Sequence, residues 1–304
     1  MTPDVSFPYL GIEIQQLNRV AVRIFGLEVY WYGVLIVIGI VLGVLAPWYN
    51  AKRDVLHAAK RPGEPFTPEQ VLDFAYIVIP IALVGTRLYY VFSKWGDYKN
   101  DLLSIFAVRE GGLAIYGAII TALATAVIYA RVKKRSFLRM ADVCVVGLPI
   151  GQAIGRWGNF MNQEVFGGYT DSLLAMRYKL SAVDHSHVTP DMILSPDMMA
   201  GVEYIQVHPT FLYESMWSLV TFALLMLYFN RRKFNGEILA LYLFSYGFGR
   251  FWIEGIRTDQ LMFFGTGIPN AQVVSVLLVL GAATFMIVRR VQLQMAKKNM
   301  AAAE

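Results

Sequence analysis

Long runs of apolar residues constrain this chain more than any other feature of its sequence. Six of them are long enough to cross a membrane, at about 30–49, 74–92, 112–130, 209–229, 237–255 and 268–288. A helix of about 20 apolar residues spans the roughly 30 Å of hydrocarbon in a bilayer. Hydrophobic residues make up 56% of the chain and charged residues only 16%, which excludes a soluble enzyme and a disordered chain. We therefore predict an all-α, polytopic membrane protein.

A seventh apolar run, at 143–157, is short enough to be a re-entrant segment rather than a full span. Lys and Arg accumulate in the cytoplasmic flanks of membrane spans. With seven spans and an external N-terminus, the internal segments hold 16 basic residues and the external segments hold 9. If 143–157 does not cross, these numbers become 13 and 12. The asymmetry favours seven spans with a cytoplasmic C-terminus.

The sequence predicts one integral membrane domain over 1–290 and a polar cytoplasmic tail over 291–304. A long loop, about 158–208, is predicted to be an external surface excursion. The histidines of its DHSH segment, His185 and His187, are interpreted as solvated, because a metal site needs a further ligand. The basic residues lie between apolar runs and form no stripe with aromatic residues, so we expect no nucleic-acid partner. We also expect no metal and no cofactor.

Polar residues of six spans fall at the external end of the predicted bundle. They are Tyr32, Arg87, Tyr116, Arg156, Asn159, His208, Tyr213, Glu214, Arg250 and Glu254. Charged groups inside spans are costly and usually face protein or water, which makes Arg87 and Arg250 functional candidates. The alternative for such an arginine is a side chain that extends to the lipid head groups. The convergence predicts one polar site near the external face.

Helix geometry places three polar residues of the span at 237–255, and a fourth just beyond its end, on a single face. At 100° per residue, all four fall within about 40° of Arg250. They are Tyr246, Arg250, Glu254 and Arg257. Arginine suits a phosphate, because the guanidinium group matches phosphate oxygens bidentately and stays charged when desolvated. A phospholipid head group is therefore the expected ligand.

The segment GQAIGRWGNFMNQEVFG, at 151–167, is too polar for contact with lipid. Such a segment is tolerated at membrane depth where protein or a water-filled cavity surrounds it. Close helix packing explains Gly151 and Gly155, but it does not explain the amides and charges. These are Arg156, Asn159, Asn162 and Glu164, and we add them to the candidate site.

The chain resembles bacterial phosphatidylglycerol–prolipoprotein diacylglyceryl transferase in six blocks. They are YWYG (30–33), VGTRLYY (84–90), REGGLAIYG (109–117), IGRWGNFMNQEVFG (154–167), VHPTFLYES (207–215) and SYGFGRFWIEGIRTDQ (245–260). The resemblance covers about residues 28–290. It implies transfer of a diacylglyceryl group from phosphatidylglycerol to the thiol of the lipobox cysteine of a preprolipoprotein, with release of glycerol phosphate and without a cofactor.

The same resemblance suggests roles for individual residues. Arg156 and Arg250 match the family's essential arginines, and we expect them to clamp the phosphate and stabilise the departing glycerol phosphate. The expected catalytic residues are Arg156, Arg250, Tyr246, Glu254 and Tyr116. The expected substrate-binding residues are Tyr32, Arg87, Asn159, Asn162, Glu164, Gly167, His208 and Arg257.

One position departs from the family pattern. The REGGLAI block is normally followed by histidine, a proposed base for the substrate thiol, whereas this sequence has Tyr116. A thiol of pKa ~8.5 must lose its proton to react, and an unperturbed tyrosine of pKa ~10 is a poor acceptor at neutral pH. Glu254, His208 or water are alternative acceptors, or the charge of the arginines alone lowers the thiol pKa.

Two other classes of function compete with a transferase. A transporter of lipids or small anions is expected to hold its charges near the membrane midplane and to show paired broken helices or inverted repeats, and the sequence shows neither. A non-catalytic membrane scaffold has no need of an arginine cluster. The G-x-S-x-G motif of serine hydrolases and the H-E-x-x-H motif of zinc proteases do not occur. Their absence argues against a serine hydrolase and against a zinc protease.

Overall fold

The structure is a computed structural model, and it describes residues 2–60, 63–107, 111–194, 201–263 and 266–303. Arg109 and Glu110, which open the REGGLAIYG block, lie outside the described residues, as do Arg61 and the part of the long loop at 195–200. The chain divides into two compact units. One comprises Met1–Gly43 with Val145–Glu304, and the other comprises Val44–Cys144.

Nine α-helices account for most of the described chain. They are α1 (Trp31–Leu56), α2 (Pro68–Ser93), α3 (Trp95–Tyr98), α4 (Ile115–Val132), α5 (Phe137–Cys144), α6 (Gly147–Asn162), α7 (Thr210–Tyr228), α8 (Glu237–Glu254) and α9 (Asn270–Ala303). Helix starts follow local sequence: Thr67 and Gln70 form a reciprocal capping box before α2, and Pro68 occupies the first turn, where its missing N–H costs nothing.

Six helical segments of the described chain are long and apolar enough to cross a membrane. The prediction of a polytopic helical membrane protein is therefore confirmed. The uncertain run at 143–157 belongs to one of the six, Phe137–Asn162. The predicted start of this span at 143 was too late, because the charged residues Arg139 and Asp142 are typical of a loop. In the structure Arg139 is buried, and its Nε lies 2.9 Å from Asp54 Oδ2.

The helix α8 is not among those six. Its 18 residues, Glu237–Glu254, match the length predicted for the span at 237–255. It contains three charged residues, Glu237, Arg250 and Glu254. The last helix, α9, continues to Ala303, so the predicted tail at 291–304 is largely a helical extension of the preceding span.

The described residues also form seven short strands. They are β1 (Val5–Phe7), β2 (Ile12–Ile14), β3 (Val20–Ile24), β4 (Leu27–Tyr30), β5 (Met176–Lys179), β6 (Ile193–Leu194) and β7 (Tyr204–Val207). Five of them form an antiparallel sheet in the order β2-β1-β5-β7-β6, and β3 pairs with β4 in a hairpin. The hairpin leads directly into α1. The sheet was not predicted, since the segment at 158–208 was interpreted as a surface excursion.

The sheet shares a hydrophobic core with two helices of its own unit. Val5, Met176 and Ile205 of the sheet are buried in one cluster with Phe160 of α6 and Phe211 of α7. Burying these side chains removes apolar surface from water, at roughly 25 cal/mol per Å². The packing fixes the end of α6 and the start of α7, which is where the polar residues of the candidate site lie.

Candidate active site

Three neighbouring helices of one unit supply the centre of the site. Ser215 of α7 ties this helix to α6, because its Oγ donates to the Ala153 carbonyl oxygen (3.0 Å) and accepts from the Trp157 indole nitrogen (3.2 Å). On the other side of α7, the indole nitrogen of Trp217 donates to the carbonyl oxygen of Ser245 in α8 (2.9 Å). These bonds set the rotation of α7 between its neighbours.

The approach of α7 to α8 depends on Gly249. A Cβ atom at this position would lie 2.2 Å from the Trp217 indole nitrogen, a distance that real side chains do not reach. Glycine therefore allows the indole to lie directly against α8. The close contact brings the start of α7 next to the Arg250 side chain, which follows Gly249 in the sequence.

Glu214 lies at the centre of an arginine cluster. Its Oε2 lies 2.6 Å from Nη2 of Arg156 in α6 and 3.5 Å from Nη1 of Arg250 in α8. Its Oε1 lies 3.4 Å from Nη1 of Arg257. The glutamate is only 7% exposed. Three guanidinium groups from separate parts of the chain thus meet on one carboxylate.

Two further carboxylates complete the cluster. Glu254 Oε2 lies 2.6 Å from Arg250 Nη2 and 3.8 Å from Arg257 Nε. Asp259 forms a two-bond contact with Arg257, at 2.6 and 2.9 Å. Desolvation acts to raise the pKa of Asp259, but the hydrogen bond and charge of Arg257 outweigh it and hold this pKa below the usual range. The cluster therefore has equal numbers of arginines and carboxylates.

The predicted stripe on α8 ends one turn earlier than expected. Tyr246, Arg250 and Glu254 lie on α8, but the helix ends at Glu254 and Arg257 follows in a turn. The assumption of a continuous helix through Arg257 was wrong, because Gly255 at the C-terminal cap ends it. Arg257 reaches the same cluster through its ion pairs with Glu214 and Asp259.

A cavity of about 30 Å³ adjoins the cluster, with Gln152, Arg156, Glu214, Tyr246 and Arg250 among its lining residues. Tyr246 stacks on Tyr242, with ring centroids 5.9 Å apart. Among the described residues, Arg250 Nη1 is buried without a hydrogen-bond partner. A buried donor of this kind is costly unless a ligand or water completes it. The cavity is thus suited to an oxygen-rich anion.

The polar segment after Arg156 extends this surface. The Arg156 guanidinium donates to Asn159 Oδ1 (3.4 Å), and the amides of Asn159 and Asn162 both donate to Glu164 Oε1, at 2.9 and 3.3 Å. The side chains form one hydrogen-bonded chain from the arginine to Glu164. This chain orients Arg156 toward the cavity.

Two residues of the turn that carries Glu164 have left-handed backbone conformations. Gln163 has a φ of 56° and Val165 a φ of 59°. A β-branched residue in this region is a genuine outlier, and such strain costs about 1–3 kcal/mol. The Val165 carbonyl accepts a hydrogen bond from Thr210 Oγ1, which helps to hold the turn at the start of α7.

Gly167 joins three segments through its backbone. Its N–H donates to the His208 carbonyl (3.0 Å), and it forms an isolated antiparallel bridge with Arg257. A Cβ at Gly167 would lie 2.7 Å from the Ile256 carbonyl oxygen. Gly167 therefore links the segments that carry Arg257 and His208, and its role in substrate binding stays a prediction.

His208 and Tyr32 border the site. Nδ1 of His208 lies 3.2 Å from the Tyr213 hydroxyl. Desolvation lowers the pKa of His208 below its ordinary value, so its ring is neutral at pH 7. Tyr32, at the start of α1, packs its ring against α6 at Gly158 and remains 38% exposed.

Arg87 and Tyr116 belong to the other compact unit. The Arg87 guanidinium is buried and donates to backbone carbonyls of Ser104, Ile105, Gly111 and Gly112, at 2.7–3.1 Å. These bonds stabilise the connection between α3 and α4 and leave few guanidinium donors of Arg87 available to a substrate. Tyr116 is 56% exposed, and its ring centroid lies 6.2 Å from that of Tyr89.

Sequence reasoning placed Glu214 among the converging polar residues but gave it no catalytic or binding role, and it gave Asp259 none either. The signal for Glu214 was present, since it is a carboxylate inside an apolar helix, and such a residue is a functional candidate by default. Asp259 lies outside any span, so no rule distinguishes it from a surface residue.

The chain is similar to proteins of known activity. A family model for prolipoprotein diacylglyceryl transferase matches residues 19–288. The phosphatidylglycerol–prolipoprotein diacylglyceryl transferase of Oceanobacillus iheyensis is 39% identical over 275 residues, covering 90% of this chain and 88% of that protein. The proteins of the same name from Geobacillus kaustophilus and Clostridioides difficile are 41% and 38% identical, over 91% and 93% of this chain and 94% and 98% of their own lengths.

Proposed function

Because the chain belongs to the prolipoprotein diacylglyceryl transferase family, we propose that its arginine cluster binds the phosphate of phosphatidylglycerol and stabilises the charge on the departing head group. The protein is a multi-pass membrane transferase that moves the diacylglyceryl group of phosphatidylglycerol to a prolipoprotein. The acceptor atom in this proposal is the thiol sulfur of the lipobox cysteine.

One observation carries the assignment of the site. Arg156 and Arg250, from different helices, both contact Glu214 beside a cavity that they line. Two guanidinium groups at this spacing can hold two oxygens of one phosphate bidentately. In the reaction, the thiolate attacks the glycerol carbon, the bond from that carbon to the phosphate oxygen breaks, and the arginines stabilise the negative charge that develops.

Other residues position this pair or contact the substrate. Glu254 orients Arg250, and Asn159 orients Arg156 directly. Glu164 holds Asn159 in place and also accepts from the Asn162 amide. Tyr246, which lines the cavity, contacts the head group. Four further residues have proposed roles but make no specific contact with the cluster among the described residues. Tyr32 and Arg87 bind the lipid, and Tyr116 and His208 lie beside the acceptor thiol.

We place the site at the extracytoplasmic face of the bacterial cytoplasmic membrane, with seven spans. The end of α6, the start of α7 and the end of α8 meet at the arginine cluster, next to the sheet. The excess of basic residues in the segments assigned to the cytoplasm supports this orientation. A cysteine-labelling experiment with a membrane-impermeant reagent tests it: a cysteine introduced at Asp184 should be labelled in intact spheroplasts, and one introduced at Lys134 should not.

The proposed activity is tested with purified protein in lipid nanodiscs containing labelled phosphatidylglycerol and a lipobox peptide. Wild-type protein should yield a peptide with a thioether-linked diacylglyceryl group, and Arg156→Ala should reduce that yield at least about a hundredfold. Arg23→Ala is the matched control, because Arg23 is a highly exposed arginine that pairs with Glu28. Movement of phosphatidylglycerol across the bilayer without a thioether product would support a transporter instead.

A further inference from the structure

The position of Glu214 has a consequence for substrate binding. The carboxylate of Glu214 lines the cavity together with Arg156 and Arg250. The same carboxylate contacts Nη2 of Arg156 at 2.6 Å and Nη1 of Arg250 at 3.5 Å, two donors that a bridging phosphate would use. A phosphate that bridges these two donors must therefore displace the Glu214 side chain.

The charges of the cluster add a second constraint. Arg156, Arg250 and Arg257 face the three carboxylates of Glu214, Glu254 and Asp259, so the cluster is neutral. A phosphate diester brings one further negative charge into a largely buried site, which is costly unless a proton comes with it. The acceptor thiol must release one proton in the same reaction.

Glu214 differs from Glu254 in which arginine donors lose their carboxylate partner when the glutamate is removed. When Glu214 moves, Arg156 loses its only carboxylate partner among the described residues, and Arg250 exposes Nη1, which is buried and has no hydrogen-bond partner. Glu254 holds the other face of Arg250 through Nη2, at 2.6 Å. Removal of Glu254 would affect Arg250 and Arg257, at the end of α8 and in the turn that follows it, whereas removal of Glu214 frees donors on both α6 and α8.

We propose that the Glu214 carboxylate holds the phosphate position until the substrate phosphate displaces it from the arginines, and that it then accepts the proton of the acceptor thiol. This inference rests on the proposed function. It assigns the proton acceptor that the sequence leaves undecided at Tyr116, and it makes thiol activation dependent on prior binding of the lipid.

The step balances in atoms and charge. The thiol proton moves to a Glu214 oxygen, and the sulfur forms a bond to the glycerol carbon. The bond between that carbon and the phosphate oxygen breaks, and its electron pair remains on the phosphate. The proton then passes from Glu214 to the glycerol phosphate, which leaves as a monoanion. The ionised carboxylate returns to Arg156 and Arg250, so the site regains its original charge.

The test compares Glu214→Gln with wild type on two lipobox peptides, one with cysteine and one with selenocysteine. A selenol is ionised at neutral pH and needs no base. We expect Glu214→Gln to lose at least about a hundredfold in kcat with the thiol peptide, which is the usual contribution of a general base, and to recover to within about tenfold of wild type with the selenol peptide. Arg156→Ala should be impaired with both peptides, because it acts on the leaving group.

A binding measurement tests the displacement separately. Glycerol phosphate should bind to Glu214→Gln about tenfold or more tightly than to wild type, because the competing carboxylate is gone. Glu237→Gln is the matched control, since Glu237 is a fully buried glutamate paired with Arg290 outside the cluster. It should change neither the selenol-to-thiol ratio nor glycerol phosphate binding. Glu214→Asp keeps a carboxylate and should retain more thiol activity than Glu214→Gln.

Three results would overturn the inference. They are wild-type thiol activity in Glu214→Gln, equal loss of activity with both peptides, and weaker glycerol phosphate binding by that variant. The last two would identify Glu214 as a structural partner of the arginines. Absence of transfer by wild-type protein with either peptide would instead refute the proposed function, so the two failures are distinguishable.

Discussion

Replacement of Arg250 by alanine separates a role in the reaction from a role in packing. The guanidinium contacts Glu254 at 2.6 Å and Glu214 at 3.5 Å, and its side chain is 19% exposed. Removing one positioned donor to a developing oxyanion costs about 3–4 kcal/mol of transition-state stabilisation. At about 1.4 kcal/mol per tenfold, kcat/KM should fall by a factor of about 100 to 1,000.

The same substitution also affects stability. Without Arg250, the ion pair that Glu254 retains among the described residues is with Arg257, at 3.8 Å. The Glu254 residue is only 4% exposed. Breaking a buried pair by removing one partner costs about 3–5 kcal/mol. The free energy of unfolding of Arg250→Ala should fall by about that amount, and activity must therefore be expressed per folded molecule, measured by size-exclusion chromatography and thermal unfolding in the same nanodiscs.

Arg250→Lys provides the internal comparison. Lysine keeps the positive charge for Glu254 but has no planar fork to hold two phosphate oxygens. Its stability should lie close to wild type, while its kcat/KM should stay well below it. If Arg250→Lys and Arg250→Ala, at equal folded fractions, both transfer the diacylglyceryl group at the wild-type rate, the assignment of Arg250 to the leaving group is refuted.

Three other substitutions give separate tests. Gly167→Ala should destabilise the fold and reduce activity about tenfold or more, because its Cβ would lie 2.7 Å from the Ile256 carbonyl oxygen; unchanged thermal unfolding and activity would contradict this. Tyr116→His restores the histidine typical of the family and should preserve or raise transfer, and an inactive but folded variant would show that the tyrosine has a distinct task. The pKa of Asp259 lies below its ordinary 3.8, so its stabilising effect is fully present above about pH 4 and is lost as pH falls through the lowered value. Thermal unfolding of Asp259→Asn should therefore differ from wild type at pH 7 and converge with it in acid; a difference that persists there would contradict the ion pair with Arg257.

Much of the helical fold was predictable because hydropathy is a local property. A run of apolar residues predicts a span whatever its neighbours are, and the helices contain the predicted segments with shifts at their ends. Those shifts have a physical cause. The segment at 143–157 starts earlier than predicted because the partner of Arg139 is Asp54, far away in the sequence, and a buried ion pair cannot be read from a hydropathy window.

The sheet illustrates a different limit. Strand β7 is buried at all four positions, so it lacks the alternation of polar and apolar residues that identifies a half-exposed strand. Its partner β5 is nearby in the chain, but β5 also pairs with β1, near the N-terminus. Pairing over such sequence separations depends on the packed core and not on local pattern.

The amino-acid order by itself determined that this chain enters a membrane, where most of its helices lie, and which arginines are candidates for a functional role, because a charge in hydrocarbon is costly wherever it occurs. The tertiary structure decided what those charges contact. Arg87, predicted to bind substrate, donates to carbonyls of its own unit, while Glu214 became the centre of the site. The reason is geometric: the partner of a guanidinium depends on helix rotation and close approach, and contacts such as Trp217 on Gly249 fix these only when the helices have packed.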